Sequence, residues 1–225
     1  MSLVNERRQF HATSDDRAAP IFIPPGSSAT YPSGMRLGLY GGSFDPIHRG
    51  HLLVAQAALE ELELDRLVFI PAAQSPFKPE SELAPAALRL RLLRLALAGQ
   101  TRCAVDDLEV RRGGVSYTVD TVRHFAELHP RASFFWLIGA DHVAKLPLWR
   151  GAAALAELVE FVVIPRPGEE PASLPAPYRL RQLRGWPSRV SASEIRERVR
   201  QGMTVGHLVP GIVAGVLETE AIYRA

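Results

Sequence analysis

The feature that most constrains this chain is the stretch over residues 41–51, Gly-Gly-Ser-Phe-Asp-Pro-Ile-His-Arg-Gly-His. A short apolar run over 37–40 precedes it and predicts a strand. Apolar residues at near-helical spacing over 52–64 predict a helix after it. Glycines let the backbone approach an anion closely, and a helix N-terminus offers unpaired N–H groups. The stretch therefore predicts a phosphate site in a strand–turn–helix unit.

Two histidines give this stretch its second chemical feature. His48 and His51 are three residues apart, so in a first helical turn both side chains project to one side. Imidazoles there can donate hydrogen bonds to phosphate oxygens. Each feature also has an ordinary interpretation, because a glycine pair is usually only a turn and a histidine near a helix start usually only a cap or a surface residue. The combination is more specific than either part.

Strand and helix patterns alternate along the rest of the chain. The predicted elements after the first unit are strands over 66–71, 133–138 and 159–164 and helices over 86–98, 117–129 and 152–158. This alternation predicts an α/β fold, a Rossmann-like doubly wound parallel sheet with helices on both faces. The 225 residues, of which 47% are hydrophobic, suffice for a single domain with a full core.

Residues 1–34 differ in composition from the remainder. Residues 1–16 are polar and charged, and prolines, glycines and serines over 20–34 interrupt any regular element. We expect a flexible N-terminal extension over 1–34, without a function of its own, and one folded domain over 35–225.

Four further expectations concern local structure. Alternation over 103–110 predicts an edge-like strand, the proline-rich segment over 169–180 a loop, and residues 208–223 a final helix. The helix over 86–98 carries three arginines that are predicted to line its solvated face: Arg89, Arg91 and Arg94.

A second helix start has the features of an anion site. Ser191 or Ser193 can cap a helix that begins near residue 192, and Arg196 would lie one turn inside it. Hydroxyls, bare N–H groups and a guanidinium would then lie close together. The alternative is a well-capped helix with a surface arginine, and the spacing alone favours that alternative.

Two segments follow the ends of predicted strands, where ligand sites of α/β proteins lie. Gly139 and Asp141 follow the strand over 133–138, which places a carboxylate where it can accept hydrogen bonds from sugar hydroxyls. A proline-studded loop around Lys78 follows the strand over 66–71.

The composition argues against several classes of protein. A net charge of +2, from 26 basic and 24 acidic residues, is too balanced to argue for a nucleic-acid surface. A single cysteine, Cys103, rules out a disulfide within the chain and suits the cytoplasm. No apolar stretch approaches the roughly 20 residues that span a membrane, and the N-terminus lacks the apolar segment of a secretory signal. We expect neither nucleic-acid nor membrane binding; the sequence leaves monomer and homo-oligomer open.

The two anion motifs resemble those of the nucleotidyltransferase superfamily, whose hallmarks are a Gly-rich turn with His-x-Gly-His and a later Ile-Ser-x-Thr-x-Ile-Arg, here Val-Ser-Ala-Ser-Glu-Ile-Arg over 190–196. Finer matches over residues 36–224 identify the bacterial nicotinate-nucleotide adenylyltransferase family, so residues 35–225 would form a nucleotidyltransferase domain. These matches are Ser116-Tyr117-Thr118, Gly139-Ala140-Asp141, Leu146-Pro147-Leu148-Trp149, Arg166-Pro167-Gly168 and Ile222-Tyr223-Arg224.

The resemblance implies that the substrates are ATP and nicotinate mononucleotide, and that Mg²⁺ is held mainly by ATP phosphates with no protein ligand. It assigns ATP binding to Gly41, Gly42, Ser43, Phe44, His48, His51, Gly139, Asp141, Ser191, Ser193 and Arg196. It assigns the mononucleotide to Lys78, Tyr117, Thr118, Trp149 and Arg166. The side chains implied to act in catalysis are His48, His51, Lys78 and Arg196.

Within the acceptor set, Thr118 and its backbone would recognise the nicotinate carboxylate, and Trp149 would stack on the pyridine ring. One segment departs from the family pattern. Relatives often carry an Asn and a Pro-Pro-His-Lys or Pro-Pro-His-Arg run after the second strand, whereas this chain has Phe77 in place of the His and lacks the Asn. Lys78 retains the cation.

Three other functions are weighed against this one. An adenylyl- or cytidylyltransferase for phosphopantetheine or glycerol phosphate would share the two anion motifs, but the Ser-Tyr-Thr and Pro-Leu-Trp matches argue against it. Nicotinamide mononucleotide stays open as an alternative acceptor. A non-catalytic nucleotide sensor would be expected to lose a histidine or Arg196, and both histidines and Arg196 are present. A nucleic-acid binder would interleave aromatics with its basic residues, whereas the arginines here are scattered.

Overall fold

A six-stranded sheet forms the centre of the computed structural model, which describes residues 34–76, 83–165, 167–168 and 173–224. The strands are β1 (Arg36–Gly42), β2 (Arg66–Pro71), β3 (Cys103–Val105), β4 (Ser133–Gly139), β5 (Val159–Ile164) and β6 (Leu180–Gln182). Every neighbouring pair is parallel, in the order β3-β2-β1-β4-β5-β6. The Rossmann-like doubly wound α/β fold predicted from the sequence is confirmed.

Helices cover both faces of the sheet. They are α1 (Arg49–Glu61), α2 (Ala86–Ala96), α3 (Leu108–Arg112), α4 (Thr118–Leu128), α5 (Ala140–Val143), α6 (Ala152–Leu158), α7 (Ala192–Arg200) and α8 (Gly211–Thr219), with a 3₁₀ turn over Leu146–Leu148. One apolar cluster joins the sheet to α1, α2, α7 and α8, and a second joins its other face to α4 and α6. Successive β4 residues face opposite clusters, Phe135 one and Trp136 the other, as the two-residue period of a strand requires.

The strand order reverses between β1 and β4, and this reversal positions the site. From β1 the chain winds outward to β2 and β3, and from β4 it winds the other way to β5 and β6. A crevice forms at such a switch point, outside the carboxyl ends of the two central strands. The turn after Gly42 and the segment after Gly139 therefore lie at the same edge of the sheet.

Three local expectations need correction. The strand predicted over 103–110 ends at Val105, because the Asp106 carboxylate accepts a hydrogen bond from the Leu108 N–H at 2.8 Å and turns the chain into α3. The loop predicted up to residue 180 stops one residue earlier, where β6 begins. The final helix is shorter than predicted, Gly211–Thr219.

Most of the predicted N-terminal extension lies outside the described residues, so the division at residue 34 stays a prediction. Within the described part of the chain, no helix combines the length and apolar character that crossing a membrane requires.

Candidate active site

The glycine turn is fixed by close packing at the end of β1. A Cβ added to Gly41 would lie 2.7 Å from the Trp136 ring of the neighbouring strand, so a side chain cannot be accommodated there without moving the indole. Three residues later Phe44 adopts a left-handed backbone conformation, with φ of 47°, and the residue is only 2% exposed. Gly41, Gly42 and Ser43 are therefore half-buried, while the Phe44 side chain anchors the turn in the core.

The two histidines stack on each other at the start of α1. The His48 and His51 ring centroids are 3.6 Å apart, and the ring planes meet at 23°. The backbone N–H of His48, the N-cap residue, donates to His51 Nδ1 at 3.2 Å. A neutral imidazole that accepts at Nδ1 carries its proton on Nε2, so His51 has an Nε2–H available for a ligand.

Aromatic rings support the histidine pair from below. The Phe44 ring centroid lies 5.0 Å from that of His51, and Tyr40 packs edge-on against both. The ring centroid of Phe69 in β2 lies 5.5 Å from that of Phe44, so Phe69 completes the aromatic cluster under the histidines. Because these rings are in the core, the imidazoles are held in place before any ligand binds.

Burial makes the histidine pair sensitive to acid. Burial lowers the pKa of His48 from 6.5 to about 4, and burial together with the nearby His48 lowers the pKa of His51. Unfolded chains take up these protons as the pH falls below about 6.5, but the folded protein does not until lower pH. The free energy of unfolding therefore decreases as the pH falls through this window.

We expect His48 alone to remove about 1.5 kcal/mol of stability between pH 6.5 and pH 5, since each pH unit is worth about 1.4 kcal/mol once the unfolded imidazole is fully protonated, and it is only half protonated at pH 6.5. Urea unfolding at the two pH values measures this loss. His48→Gln should reduce the difference by about that amount. An unaltered pH dependence in His48→Gln would contradict the assignment.

The second helix start reaches the same turn. Ser191 is the N-cap of α7, and its Oγ accepts from the Glu194 N–H at 3.2 Å. Arg196 Nη1 donates to the backbone oxygen of Asp45 at 2.6 Å, and Nη2 donates to Ser193 Oγ at 3.4 Å. Asp45 and Arg196 are 151 residues apart in the chain. The fold therefore brings α7 and the glycine turn together, which the sequence spacing could not decide.

The end of β4 places a carboxylate at the crevice. Asp141 lies in the first turn of α5, and its side chain is 47% exposed. A Cβ on Gly139 would lie 2.6 Å from Asp141 Oδ1, so the glycine lets this carboxylate fold back against the strand end. His142 Nε2 lies 3.5 Å from Asp141 Oδ2. An exposed acceptor at a strand end can receive hydrogen bonds from a ligand hydroxyl.

The Ser-Tyr-Thr segment forms the start of α4 and is hydrogen-bonded to a loop that lines a cavity. Tyr117 is the N-cap residue and Thr118 begins the helix. The Ser116 N–H donates to Gln74 O at 2.9 Å, and Ser116 Oγ accepts from the Ala73 N–H at 3.0 Å. These bonds tie the helix start to the loop after β2. A cavity of about 420 Å³ opens there, between that loop, the start of α2 and Gly114.

Trp149 belongs to the same apolar cluster as Tyr117 of this helix start. The half-buried indole packs 6.3 Å from the Phe161 ring and 6.4 Å from the His142 ring. The next residue, Arg150, places its guanidinium 4.6 Å from the centre of the Tyr117 ring. The two aromatic residues predicted to contact the acceptor are therefore linked through Arg150. Phe77, Lys78 and Arg166 lie outside the described residues, and their predicted roles stay predictions.

Arg89 is a site residue that the sequence analysis missed, and the prediction that it faces solvent is wrong. It is 2% exposed, whereas Arg91 and Arg94 have side chains that are 52% and 55% exposed. Arg89 lies three and four residues before Leu92 and Leu93, on the apolar stripe of α2, and that spacing was the available signal.

The Arg89 guanidinium binds backbone carbonyls from three loops. Its Nη1 donates to Ser43 O at 2.8 Å and to Ala72 O at 2.9 Å, and its Nε donates to Ala84 O at 2.9 Å. Burial lowers the pKa of Arg89, while the negative charge of Asp45 raises it. One buried cation therefore fastens the glycine turn to the ends of β2 and the start of α2.

The switch point of this doubly wound sheet carries a glycine turn, paired histidines and an arginine on a helix. These features define a nucleotide-binding α/β protein. Residues 39–198 match the model of a protein family described as cytidylyltransferase-like. The chain is 39% identical over 193 residues to a probable nicotinate-nucleotide adenylyltransferase of Opitutus terrae, covering 84% of this chain and 98% of that one. It is 41% identical over 190 residues to one from Geobacillus kaustophilus, covering 84% and 87%.

The fold has a solved counterpart. A Plasmodium falciparum nicotinic acid mononucleotide adenylyltransferase complexed with NaAD superposes with a TM-score of 0.70 at 18% identity, covering 84% of this chain and 97% of that one. The chain belongs to the cytidylyltransferase-like family and, within it, to the nicotinate-nucleotide adenylyltransferases.

Proposed function

We propose that this protein transfers the adenylyl group of ATP to nicotinate mononucleotide, forming nicotinate adenine dinucleotide and pyrophosphate, a step of NAD biosynthesis. The two relatives named as probable nicotinate-nucleotide adenylyltransferases are 39% and 41% identical to this protein over 84% of the chain. The observation that carries the proposal is the contact between Arg196 and the Asp45 backbone, because it joins two helix starts into one anion site.

Adenylyl transfer requires that the protein position the two substrates and stabilise their negative charge. A phosphate oxygen of the mononucleotide attacks the α-phosphorus of ATP, the bond to the bridging oxygen breaks, and pyrophosphate leaves with the electron pair. The attacking phosphate is already anionic near neutral pH, so no side chain needs to remove a proton. The protein must hold two anions in line and offset their repulsion.

The nucleotide end of the site is proposed to hold ATP along the switch point. Backbone N–H groups over 41–44 and the imidazoles of His48 and His51 would bind phosphate oxygens. Ser191, Ser193 and Arg196 would bind the β- and γ-phosphates, and Gly139 and Asp141 the ribose. The support is geometric: Arg196 of α7 donates to the backbone oxygen of Asp45 in the glycine turn, and core aromatics back the histidine pair that follows this turn.

The acceptor end is proposed to lie at the start of α4. The N–H groups at Tyr117 and Thr118 suit a carboxylate, because a helix N-terminus favours negative charge. Trp149 would stack on the pyridine ring. Lys78 and Arg166 are proposed, on the family resemblance alone, to hold the acceptor phosphate.

Mg²⁺ is proposed to arrive as part of the MgATP substrate. This ion keeps several waters and is commonly bound through substrate phosphates. Among the residues that the structure describes, no three His, Cys, Asp or Glu side chains are grouped as a ligand set. The chain's own contribution is then Arg196, the hydrogen-bonding imidazoles and the two helix starts.

A panel of acceptors and nucleotides tests the proposal. Pyrophosphate release should be fastest with ATP and nicotinate mononucleotide, and kcat/KM for the nicotinate should exceed that for nicotinamide mononucleotide at least about tenfold, a difference of about 1.4 kcal/mol. CTP and phosphopantetheine complete the panel, and His51→Asn prepared in parallel controls for host enzyme. Preference for the amide would overturn the acceptor, and nucleotide binding without pyrophosphate release would indicate a sensor.

A further inference from the structure

Asp45 is a buried charge in the glycine turn that the proposed chemistry does not use. Its side chain is 2% exposed, and its carboxylate lies between three distant parts of the chain. Oδ1 accepts a hydrogen bond from the Tyr223 hydroxyl, and Oδ2 accepts from the Ala84 N–H at 3.3 Å. Oδ2 also lies 3.7 Å from Arg196 Nη1. A buried carboxylate is stable only with such partners, so these contacts depend on one another.

Tyr223 reaches this carboxylate from the segment after α8, 178 residues away. Burial and the hydrogen bond to Asp45 raise the pKa of Tyr223, so its hydroxyl stays protonated and donates. The backbone is left-handed at Ala221 and at Tyr223, with φ of 51° and 65°. A non-glycine residue in that conformation costs roughly 1–2 kcal/mol, and it persists only where other contacts hold it.

We propose that Tyr223 is a positioning residue for ATP binding, which acts through Asp45 to keep the Arg196 guanidinium directed at the nucleotide phosphates. This rests on the proposed function, since it assumes that Arg196 binds ATP. The Tyr223 hydroxyl donates a hydrogen bond to one oxygen of the buried Asp45 carboxylate. Arg196 donates to the backbone oxygen of Asp45, and its Nη1 lies 3.7 Å from the carboxylate. Arg196 is thereby oriented by Asp45 without forming a close ion pair with it.

Loss of the Tyr223 hydroxyl has a defined consequence. Asp45 Oδ1 would then lack that donor in a buried setting, and Arg196, whose Nη1 lies 3.7 Å from Oδ2, is a cation able to supply one. A closer pair between Arg196 and Asp45 would neutralise the guanidinium and draw it away from the triphosphate. ATP binding should weaken, whereas binding of the acceptor at the start of α4 should be unaffected.

Tyr223→Phe tests this inference by removing one oxygen. We expect the calorimetric Kd for ATP and the KM for ATP to rise about tenfold, with KM for nicotinate mononucleotide within twofold of the parent value. Tyr178→Phe is the matched control, because that ring packs against Phe161 on the opposite face of the sheet. It should leave both KM values unchanged.

The outcomes separate the inference from the proposed function. A variant that melts earlier but keeps the parent Kd for ATP, measured well below its melting temperature, would show a purely structural role and overturn the proposal. Asp45→Asn gives a second reading: without the carboxylate charge, adding Tyr223→Phe should weaken ATP binding no further. Full additivity would contradict the proposed route. A parent protein that binds ATP without transferring adenylyl would refute the function but leave the Kd comparison intact.

Discussion

Asparagine in place of His51 is expected to lower kcat for adenylyl transfer by about 10²–10³-fold while the fold survives. The substitution separates two roles of the imidazole. Asparagine Oδ1 can still accept the hydrogen bond that the His48 N–H gives to Nδ1 at 3.2 Å, so the helix start is preserved. The Nε2–H that would meet the phosphate in the transition state is lost. Steady-state kcat at saturating ATP and nicotinate mononucleotide measures the effect.

The matched control is His124→Asn, which makes the same change on α4 away from the crevice. It should retain parent kcat. Thermal melting of both variants establishes that the comparison is between folded proteins. Turnover within a few-fold of the parent for His51→Asn would remove His51 from the catalytic set, and the stacked pair would then serve only to build the helix start.

Methionine in place of Arg89 is expected to cost about 3–5 kcal/mol of unfolding free energy. Methionine keeps much of the volume but none of the donors. The carbonyls of Ser43, Ala72 and Ala84 would each lose a charged partner in a buried setting, and Asp45 would lose a nearby positive charge. Urea denaturation at pH 7 measures the change through the midpoint, provided the slope is unaltered.

Arg91→Met provides the control two residues along the same helix. Arg91 is half exposed and pairs with Glu220, with Nη1 and Oε1 2.7 Å apart. Exposed pairs contribute about 0–1 kcal/mol, so its replacement should have little effect. Equal losses for the two variants would mean that helix propensity, and not the three carbonyl contacts, accounts for the Arg89 result.

The elements that the sequence predicted well are those whose signals are local. The apolar run before residue 41, the glycines and the helical spacing after residue 51 act over a few residues, and the structure has β1 and α1 there. The strand over 103–110 was predicted wrongly for a related reason. Alternation continued past Val105, but the hydrogen bond from the Leu108 backbone N–H to the Asp106 carboxylate turns the chain into α3.

Arg89 and Arg91 show that local sequence patterns do not predict which arginine of a helix is buried. Both are arginines in one apolar helix, and only the apolar stripe distinguishes their positions. An arginine on that stripe is stable only if acceptors meet it inside, and here the acceptors come from 5, 17 and 46 residues away. A sequence shows the cation but not the carbonyls that another loop will bring to it.

The alternation of strands and helices and the parallel sheet follow from the sequence alone, because dihedral preferences and side-chain periodicity act over one or two turns. Phosphate binding at the two helix starts stays a prediction. Only the tertiary structure decided which charged groups meet. Asp45 contacts Arg196 and Tyr223 across 151 and 178 residues, since the strand order places the glycine turn, α7 and the segment after α8 together. Burying a carboxylate requires partners, and folding, not proximity in the chain, supplies them.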